Sequence, residues 1–287
     1  MTLSTLIAEP WPDYALLDSG HGRKLERYGR VRVIRPEAQA LWPPAAEGWQ
    51  ADAEFIPGSD EEGGGRWQLN GEIPCDWQLS WNDVRFNAQL TPFRHLAFFP
   101  DMAPVWAWMR ERVSGGDQLL NLFGYTGVGT LALAATGATL VHVDASKKSV
   151  EAGKANAALS GMSGHPIRWL VDDAVKFTAR EVRRGRRYDG IILDPPKYGR
   201  GPEGEIWRLE EHLPGLIADC ARLLDERSRF LGLTVYAVRM SALAIGELLR
   251  QATAPLGGTV EMGDMAVREE ARGLLLPTAI FARWRRD

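Results

Sequence analysis

Hydrophobic and polar positions in the C-terminal two thirds of the chain follow two alternating patterns. Short apolar runs bounded by turn residues predict strands, and apolar residues three or four positions apart predict helices. The predicted strands lie at 118–123, 139–143, 167–171, 188–193, 229–235, 259–268 and 276–285. The predicted helices lie at 101–113, 128–136, 147–160, 174–184, 205–225 and 241–253. This order predicts the α/β class, with a Rossmann-like, doubly wound, mostly parallel seven-stranded sheet and a C-terminal antiparallel hairpin.

The N-terminal residues lack this alternation and predict a small β-rich domain. Strands are indicated at 30–33, 66–69, 77–81 and 84–90. The stretch from Pro43 to Gly65 is rich in proline and glycine, which predicts loops or a long hairpin tip. The pattern therefore divides the chain into a β-rich domain at 1–90, on the substrate side, and a larger α/β domain at 91–287.

Charge is segregated within the N-terminal domain. Residues 21–35 are mainly basic, whereas every charged residue of 36–65 is acidic. Two interpretations stay open: the basic stretch contacts phosphates, or the two segments form an ordinary charge pair. Tryptophan is also concentrated here, with eight of the 11 residues before position 110. These rings either supply buried area to a small core or form a base-stacking platform.

Composition limits the possible classes of protein. With 45% hydrophobic and 25% charged residues, the 287-residue chain has the composition of a globular protein. Its net charge of -3 provides no general attraction to polyanions, so a nucleic acid must be bound by a local patch. Two cysteines, Cys75 and Cys220, allow neither a disulfide framework nor a cysteine zinc site, which fits a reducing cytosol.

Neither export nor a membrane anchor is expected. Residues 1–14 have neither the basic start nor the apolar core of a signal peptide. The stretch 118–143 has no Asp, Glu, Lys or Arg, but its glycines and changing periodicity favour a buried β-α-β unit over a membrane span. We therefore expect a cytoplasmic protein.

A glycine-rich turn follows the first strand of the predicted sheet. The segment Asn121-Leu122-Phe123-Gly124-Tyr125-Thr126-Gly127-Val128-Gly129 has the spacing G-x-x-G-x-G, which differs from the dinucleotide fingerprint G-x-G-x-x-G. Glycines in such a turn let the backbone approach a ligand closely, and the amides of the next helix favour polar or negative groups. The turn is therefore a candidate ligand loop.

Acidic residues follow the second and third strands, at the same edge of the predicted sheet. Asp144 precedes Ala145, and its carboxylate can accept hydrogen bonds from both hydroxyls of a ribose. Asp172 and Asp173 precede Ala174, where one carboxylate can receive an adenine amino group while the other caps a helix. The alternative for these acids is a capping role alone.

The fourth strand ends in a proline motif that suits an acceptor with an amine. The motif is Asp194-Pro195-Pro196-Lys197-Tyr198. Prolines have no backbone donor, so the loop presents carbonyl acceptors beside a carboxylate. Tyr198 can stack on a planar base, and Lys197 with Arg200 can hold phosphates. The alternative is a proline loop that only ends a strand.

Together these motifs resemble those of the class I S-adenosylmethionine-dependent methyltransferases. The segments LNLFGYTGVGTLALAATGATLVHVDAS and LDPPKYGRG are similar, more closely, to the bacterial 23S ribosomal RNA (cytosine-C5)-methyltransferase-related group. The resemblance covers roughly residues 90 to 285. It implies methyl transfer from S-adenosyl-L-methionine (SAM) to structured RNA, most directly ribosomal RNA.

The resemblance also implies roles for individual residues. Those lining the methionine part of SAM would be Phe123, Gly124, Tyr125, Thr126, Gly127 and Gly129. Asp144 would bind the ribose and Asp173 the adenine, and Ala145, Asp172 and Ala174 stand beside them. Phe99 lies in an aromatic segment that packs by the cofactor in this group. The acceptor would face Asp194, Pro195, Pro196, Lys197 and Tyr198.

The chain departs from the group at two places. Asn121 stands where the group often has an acid, although its amide can still bind the amino-acid end of SAM. Cytosine C5 methylation needs a thiolate on the loop after the fourth or fifth strand, and the fifth strand ends in Leu233-Thr234-Val235-Tyr236-Ala237. We therefore expect direct in-line displacement, with Asp194 orienting an amine. The five histidines show no ligand spacing, so no metal is expected.

Several alternatives stay open. A protein amine or a small molecule can replace RNA as the acceptor. A nicotinamide-dependent oxidoreductase would use the same crevice, but the loop spacing argues against it. An RNA-binding module with a degenerate cofactor fold is a third possibility, and the intact Gly127, Asp144 and Asp173 argue against decay. The oligomeric state is not indicated.

Replacing Cys220 tests whether a thiolate takes part. Cys220 lies within the helical pattern LIADCARLL, so we expect a core residue rather than a nucleophile. Cys220→Ser should therefore keep the rate of methyl transfer, measured with methyl-labelled SAM. Lost turnover in a variant with a normal circular dichroism spectrum would restore the cytosine-C5 assignment.

Overall fold

The computed structural model describes residues 2–58, 64–236 and 239–286 and divides the chain into two compact units. The N-terminal unit consists of Ile7–Pro104 and Ala266–Thr278. The C-terminal unit consists of Met1–Leu6, Val105–Met265 and Ala279–Asp287. This division differs from the predicted boundary at residue 90, because it extends the N-terminal unit to Pro104 and adds a segment near the C-terminus. The boundary between independently folding domains stays a prediction.

The N-terminal unit is built on a five-stranded sheet and a hairpin. The first strands of the chain are β1 (Thr2–Ala8), β2 (Tyr14–Gly20), β3 (Arg23–Tyr28), β4 (Val31–Pro36), β5 (Ala53–Pro57), β6 (Gly65–Leu69), β7 (Trp77–Trp81) and β8 (Val84–Ala88). Strands β2 to β6 form the sheet in chain order, and β7 with β8 forms the hairpin. Neighbouring strands of the sheet are antiparallel, except for the parallel pair β4 and β5.

The sequence predicted β4, β6, β7 and β8 and missed the other four of these strands. The segment of β3 reads Arg-Lys-Leu-Glu-Arg-Tyr, so its charged residues conceal the apolar positions. β5 lies in the stretch that was interpreted as loops or a hairpin tip. Both strands form because their neighbours supply hydrogen-bond partners, which local propensity does not reveal.

A buried ion pair lies at the centre of this sheet. Glu26 is 1% exposed and accepts hydrogen bonds from Nε and Nη2 of Arg35, at 2.6 and 2.7 Å. The hydroxyls of Tyr14 and Tyr28 also donate to Glu26, at 2.9 and 3.1 Å. Burial by itself would raise the pKa of Glu26, but the Arg35 guanidinium outweighs this effect and lowers the pKa to about 2. The two charges therefore stabilise each other in the core.

The basic and acidic segments also pair with each other through side chains outside this cluster. Arg23 lies 3.3 Å from Glu54, and Lys24 lies 3.1 Å from Glu37. These contacts favour the charge-pair interpretation of the two segments over a dedicated phosphate site. Residues 59–63 of the acidic segment lie outside the described residues.

The C-terminal unit contains the predicted sheet, to which β1 is added, and a separate hairpin of β13 and β14. The strands that follow β8 in the chain are β9 (Gln118–Leu122), β10 (Thr139–Asp144), β11 (Ile167–Val171), β12 (Gly190–Leu193), β13 (Tyr198–Arg200), β14 (Ile206–Arg208), β15 (Phe230–Tyr236), β16 (Thr259–Arg268) and β17 (Leu275–Arg285). The helices are α1 (Ala103–Arg110), α2 (Val128–Ala134), α3 (Lys147–Leu159), α4 (Ala174–Arg183), α5 (Leu209–Arg222) and α6 (Ala242–Thr253). Short 3-10 turns occupy Pro100–Met102 and Ala254–Leu256.

The large sheet has the order β1-β16-β17-β15-β12-β9-β10-β11. Strands β9 to β12 and β15 run parallel, and β17 is antiparallel to β15. From β9 the chain places β10 and β11 on one side and then returns to place β12 and β15 on the other side. The gap between β9 and β12 is therefore the topological switch point, where ligands bind in open α/β sheets. The carboxyl ends of β9, β10, β11 and β12 therefore mark the candidate crevice.

These observations confirm the predicted α/β fold class, and β1 adds an eighth strand at one edge of the sheet. The helix predicted at 205–225 is wrong at its start, because α5 begins at Leu209 and β14 occupies the preceding residues. β14 forms because it pairs with β13, an interaction that helical periodicity cannot indicate. The charge-free stretch 118–143 forms β9, α2 and β10, as predicted. Among the described residues, no helix combines the length and apolar character needed to cross a membrane.

Breaking the buried pair should destabilise the N-terminal unit. Arg35→Met removes the cation that contacts the buried Glu26 carboxylate and leaves only Lys24, whose Nζ lies 4.0 Å away. The free energy of unfolding should therefore fall by about 3–5 kcal/mol in urea titrations. In the unsubstituted protein this stabilisation is complete above the ordinary pKa of 4.5 and is lost as the pH falls towards about 2. The double variant Arg35→Met with Glu26→Gln, which carries no unpaired charge, should recover part of the loss. Equal stability of all three proteins would contradict the argument.

Candidate functional site

The loop between β9 and α2 turns through three residues in the left-handed backbone region. Phe123, Tyr125 and Gly127 have φ angles of 56°, 49° and 78°. Residues other than glycine seldom adopt this conformation, so Phe123 and Tyr125 need support from outside the loop. Such support comes from the end of β10, where Asp144 Oδ2 accepts a hydrogen bond from the Tyr125 amide at 2.8 Å. The predicted glycine-rich loop is therefore tied to the neighbouring strand.

Two aromatic rings beneath the loop explain its glycines. A Cβ atom on Gly124 would collide with the ring of His142, and one on Gly127 would lie 3.0 Å from the ring of Trp169. His142 and Trp169 are register partners on β10 and β11, with ring centroids 4.6 Å apart. Sequence reasoning missed this pair, because a histidine and a tryptophan within apolar strands carry no signal of a shared contact. The rings therefore leave no room for a side chain at either Gly124 or Gly127.

A buried chain of hydrogen bonds continues under α2. Asn121 is 6% exposed, and its Nδ2 donates to Thr130 Oγ1 at 2.8 Å. The Thr130 hydroxyl lies 2.8 Å from Nδ1 of His142. Burial lowers the pKa of His142 to about 3, so its ring is neutral at physiological pH. The Asn121 amide thus supports the loop from below, and its contact with a cofactor stays a prediction.

Asp144 presents its carboxylate at the carboxyl end of β10. Besides the Tyr125 amide, it binds the Ser146 amide, which donates to Oδ1 at 2.8 Å. The cap of α3 is Ser146, whose Oγ accepts from the Ser149 amide at 3.2 Å, so a capping role does not explain Asp144. Burial raises the pKa of Asp144 above its ordinary value. Each carboxylate oxygen has a second lone pair, so the group can still accept hydrogen bonds from a ligand.

The two acids after β11 have different partners. Asp173 is 9% exposed and caps α4, because its Oδ1 accepts from the Lys176 amide at 2.9 Å. Asp172 forms an ion pair with Arg180. Ala174, the first residue of α4, is buried. One of the two acids caps the helix, as predicted, but it is Asp173, the acid that the resemblance assigned to adenine rather than to the cap. The role of Asp173 towards adenine stays a prediction.

The proline loop after β12 is held from two sides. Thr234 on β15 donates from Oγ1 to Asp194 Oδ1 at 2.6 Å. On the other side, Trp207 Nε1 donates to the Pro196 carbonyl at 2.6 Å, and the Trp207 ring lies 5.0 Å from that of Phe123 between centroids. Trp207 therefore joins the proline loop to the glycine-rich loop. Sequence reasoning missed it, since it placed this residue in the predicted helix at 205–225.

The remaining residues of the proline motif differ in exposure. Pro195 is buried, whereas Pro196 and Lys197 are exposed and Tyr198 is 45% exposed. The loop thus offers an anchored carboxylate beside exposed side chains that a large molecule can reach. Phe99, the remaining candidate, belongs to the N-terminal unit, where its ring centroid lies 5.4 Å from that of His95.

Neither cysteine lies on a loop at the edge of the sheet where the candidate residues meet. Cys220 is fully buried in α5, and burial raises the pKa of its thiol. Cys75 is exposed and belongs to the N-terminal unit. Among the described residues, the loops that follow β9, β10, β11, β12 and β15 contain no cysteine. The prediction that Cys220 is a core residue is confirmed.

Comparison with known proteins identifies the family. A model of the S-adenosylmethionine-dependent methyltransferases matches residues 59–225. The SAM-dependent methyltransferase from Agrobacterium tumefaciens is 41% identical, with a TM-score of 0.94 over 99% of this chain and 94% of its own. The ribosomal RNA large subunit methyltransferase K/L of Hahella chejuensis is 33% identical over 142 residues, or 49% of this chain, and the match spans only 19% of that relative. The corresponding K enzyme of Neisseria meningitidis is 25% identical over 70% of this chain and 59% of its own.

Asp144 is the residue whose loss should most directly reduce SAM affinity. Asp144→Ala removes a charged acceptor for the ribose hydroxyls, so binding should weaken by on the order of 1.5 to 3 kcal/mol in isothermal titration calorimetry. Glu151→Ala is a matched control, because Glu151 is an exposed acid on α3 in the same unit. Unchanged affinity of a folded Asp144→Ala variant would remove the ribose assignment.

Proposed function

This chain belongs to the S-adenosylmethionine-dependent methyltransferases, and from this premise we propose that it methylates a nucleotide of ribosomal RNA in the cytoplasm. The observation that carries the proposal is the junction of the glycine-rich loop and the proline loop at Trp207, because an acceptor held by the second loop would lie beside a cofactor held by the first.

The residues at the edge of the sheet fit SAM. The cofactor carries a methyl group on a positively charged sulfur, which makes that methyl group an electrophile. Gly124 and Gly127 let the loop lie directly on the rings of His142 and Trp169, which fixes the course of the backbone that would line the methionine part. Asp144 offers lone pairs to the ribose hydroxyls, and the second oxygen of Asp173 can receive the adenine amino group.

The proline loop orients the acceptor. The hydroxyl of Thr234 holds one oxygen of Asp194, which fixes the direction in which the carboxylate accepts a hydrogen bond. A base amine that donates to Asp194 keeps its lone pair directed towards the methyl group. Alignment of nucleophile and methyl group then supplies most of the acceleration. The buried Cys220 is unavailable as a nucleophile, which supports direct in-line transfer rather than a covalent enzyme intermediate.

Ribosomal RNA is favoured over other acceptors for two reasons. The relatives from Hahella chejuensis and Neisseria meningitidis are named as methyltransferases of the large ribosomal subunit RNA. In addition, Tyr198 is 45% exposed next to the acceptor loop, where its ring can stack on a base, and the exposed Lys197 and Arg200 can bind phosphates. The chain spans about a fifth of the first of these relatives, so the proposal concerns a shared catalytic unit.

Membership of the methyltransferase family argues against a nicotinamide oxidoreductase.

The acceptor can be identified with methyl-labelled SAM. The protein is incubated with total extract from cells that lack its gene, and the products are digested separately with ribonuclease and with protease. We expect ribonuclease to release the label and protease to leave it in place. Asp194→Ala should bind SAM normally but transfer little label, because it loses the group that orients the acceptor.

Other outcomes would assign other acceptors. Label that survives ribonuclease and is lost to protease would identify a protein side chain. Label in the small-molecule fraction would identify a metabolite, and absence of both SAM binding and label would favour a non-catalytic RNA-binding module. Each of these results contradicts the proposal that ribosomal RNA is the substrate.

A further inference from the structure

The hairpin formed by β13 and β14 has two chemically different faces. Tyr198 pairs with Arg208 and Arg200 pairs with Ile206, on either side of Trp207. Paired residues of an antiparallel ladder lie on the same face, and side chains alternate along each strand. One face therefore carries four exposed side chains, those of Tyr198, Arg200, Ile206 and Arg208. The opposite face carries Trp207, which is 4% exposed. We call the exposed face the outer face of the hairpin.

The inner face fixes the hairpin to the site. The Trp207 ring donates a hydrogen bond to the Pro196 carbonyl and packs on Phe123. At the base of the hairpin, the Leu209 amide donates to the Lys197 carbonyl at 3.0 Å. A surface that is held in this way loses little conformational entropy when a ligand binds, so the outer face is preorganised.

The acidic side chains of the hairpin are paired with a lysine outside it. Glu203 and Glu205, at its tip, both form ion pairs with Lys176 of α4. Arg208 lies 3.1 Å from Glu211, but the two side chains are 56% and 59% exposed, and such a surface pair contributes little. The outer face therefore presents guanidinium groups whose charge is available to an anion.

Apolar groups accompany these charges. Tyr198 is 45% exposed and Ile206 is 51% exposed, so an aromatic ring and a branched aliphatic group share a face with Arg200 and Arg208. Unpaired nucleotides bind through this combination, because bases stack on apolar or aromatic side chains while arginines bind phosphates. A duplex keeps its bases stacked inside and would leave Tyr198 and Ile206 without a contact.

We infer that the outer face of the β13–β14 hairpin binds an unpaired nucleotide adjacent to the one that is methylated. This inference rests on the proposed function, because it requires RNA as the acceptor. The hairpin follows directly on the proline loop, so a nucleotide bound on its outer face would be a neighbour of the base held by Asp194. The hairpin then reads the sequence or shape beside the target, and Trp207 keeps that contact in register with the cofactor loop.

Substitutions on the outer face test this inference in the full-length protein. Ile206→Glu removes an apolar contact and adds a negative charge, so the KM for ribosomal RNA should rise by at least about tenfold. The kcat and the SAM dissociation constant should not change, because the contact is the same in the ground and transition states. Leu243→Glu is the matched control, since Leu243 on α6 is 48% exposed in the same unit.

The salt dependence of RNA binding separates contacts with phosphates from contacts with bases. RNA binding to the protein is measured by filter retention of purified ribosomal RNA at increasing KCl. Arg200→Ala should reduce the slope of log affinity against log salt by about one, since it removes a single phosphate contact. Ile206→Ala should weaken binding without changing that slope, because a van der Waals contact with a base releases no counterion.

The possible failures are distinguishable. If the unsubstituted protein methylates ribosomal RNA but Ile206→Glu behaves like Leu243→Glu, the outer face does not bind RNA, although the proposed function stands. If Ile206→Glu loses SAM affinity or thermal stability, the hairpin has a structural role instead. If the unsubstituted protein does not bind or methylate RNA, both the proposed function and this inference fail.

Discussion

The hydrogen bond from the Tyr125 amide to the Asp144 carboxylate is the interaction on which the site depends. It holds Tyr125 at a φ of 49°, a conformation that an isolated loop would seldom adopt. The same carboxylate binds the Ser146 amide, so the end of β10 sets both the glycine-rich loop and the start of α3. Asp144 is also the proposed ribose acceptor, so one partly buried acid would both shape the loop and bind the cofactor.

A second contact, made by Trp207, connects the glycine-rich loop and the proline loop. Trp207 donates to the Pro196 carbonyl and packs on Phe123, so the loops after β9 and β12 cannot move independently without breaking this contact. Transfer between two bound molecules requires alignment within fractions of an ångström, which rigid supports provide. Thr234 adds to this by holding Asp194 from β15. The proline loop is thus supported by both Trp207 and Thr234, while the outer face of the β13–β14 hairpin stays exposed.

Much of this arrangement could be predicted from the sequence, because it follows from local rules. Parallel strands place their carboxyl ends together, so Asp144, Asp173 and Asp194 had to lie at one edge once the alternation of strands and helices was recognised. The contacts of Trp207 could not be predicted in this way, because three-residue strands carry too little periodicity and a helical pattern follows them. Glu26 and Arg35 show the same limit, since a buried ion pair and an exposed charged strand have identical local patterns.

The central claim is that the carboxyl ends of β9, β10 and β11 hold SAM and direct its methyl group towards Asp194. A crystal structure with S-adenosylhomocysteine, the product of methyl transfer, tests this claim most directly. We expect the ribose hydroxyls to lie within hydrogen-bond distance of Asp144, the amino-acid part to lie along Phe123–Gly127, and the sulfur to face the proline loop. A ribose bound away from Asp144, or a sulfur directed away from Asp194, would contradict it.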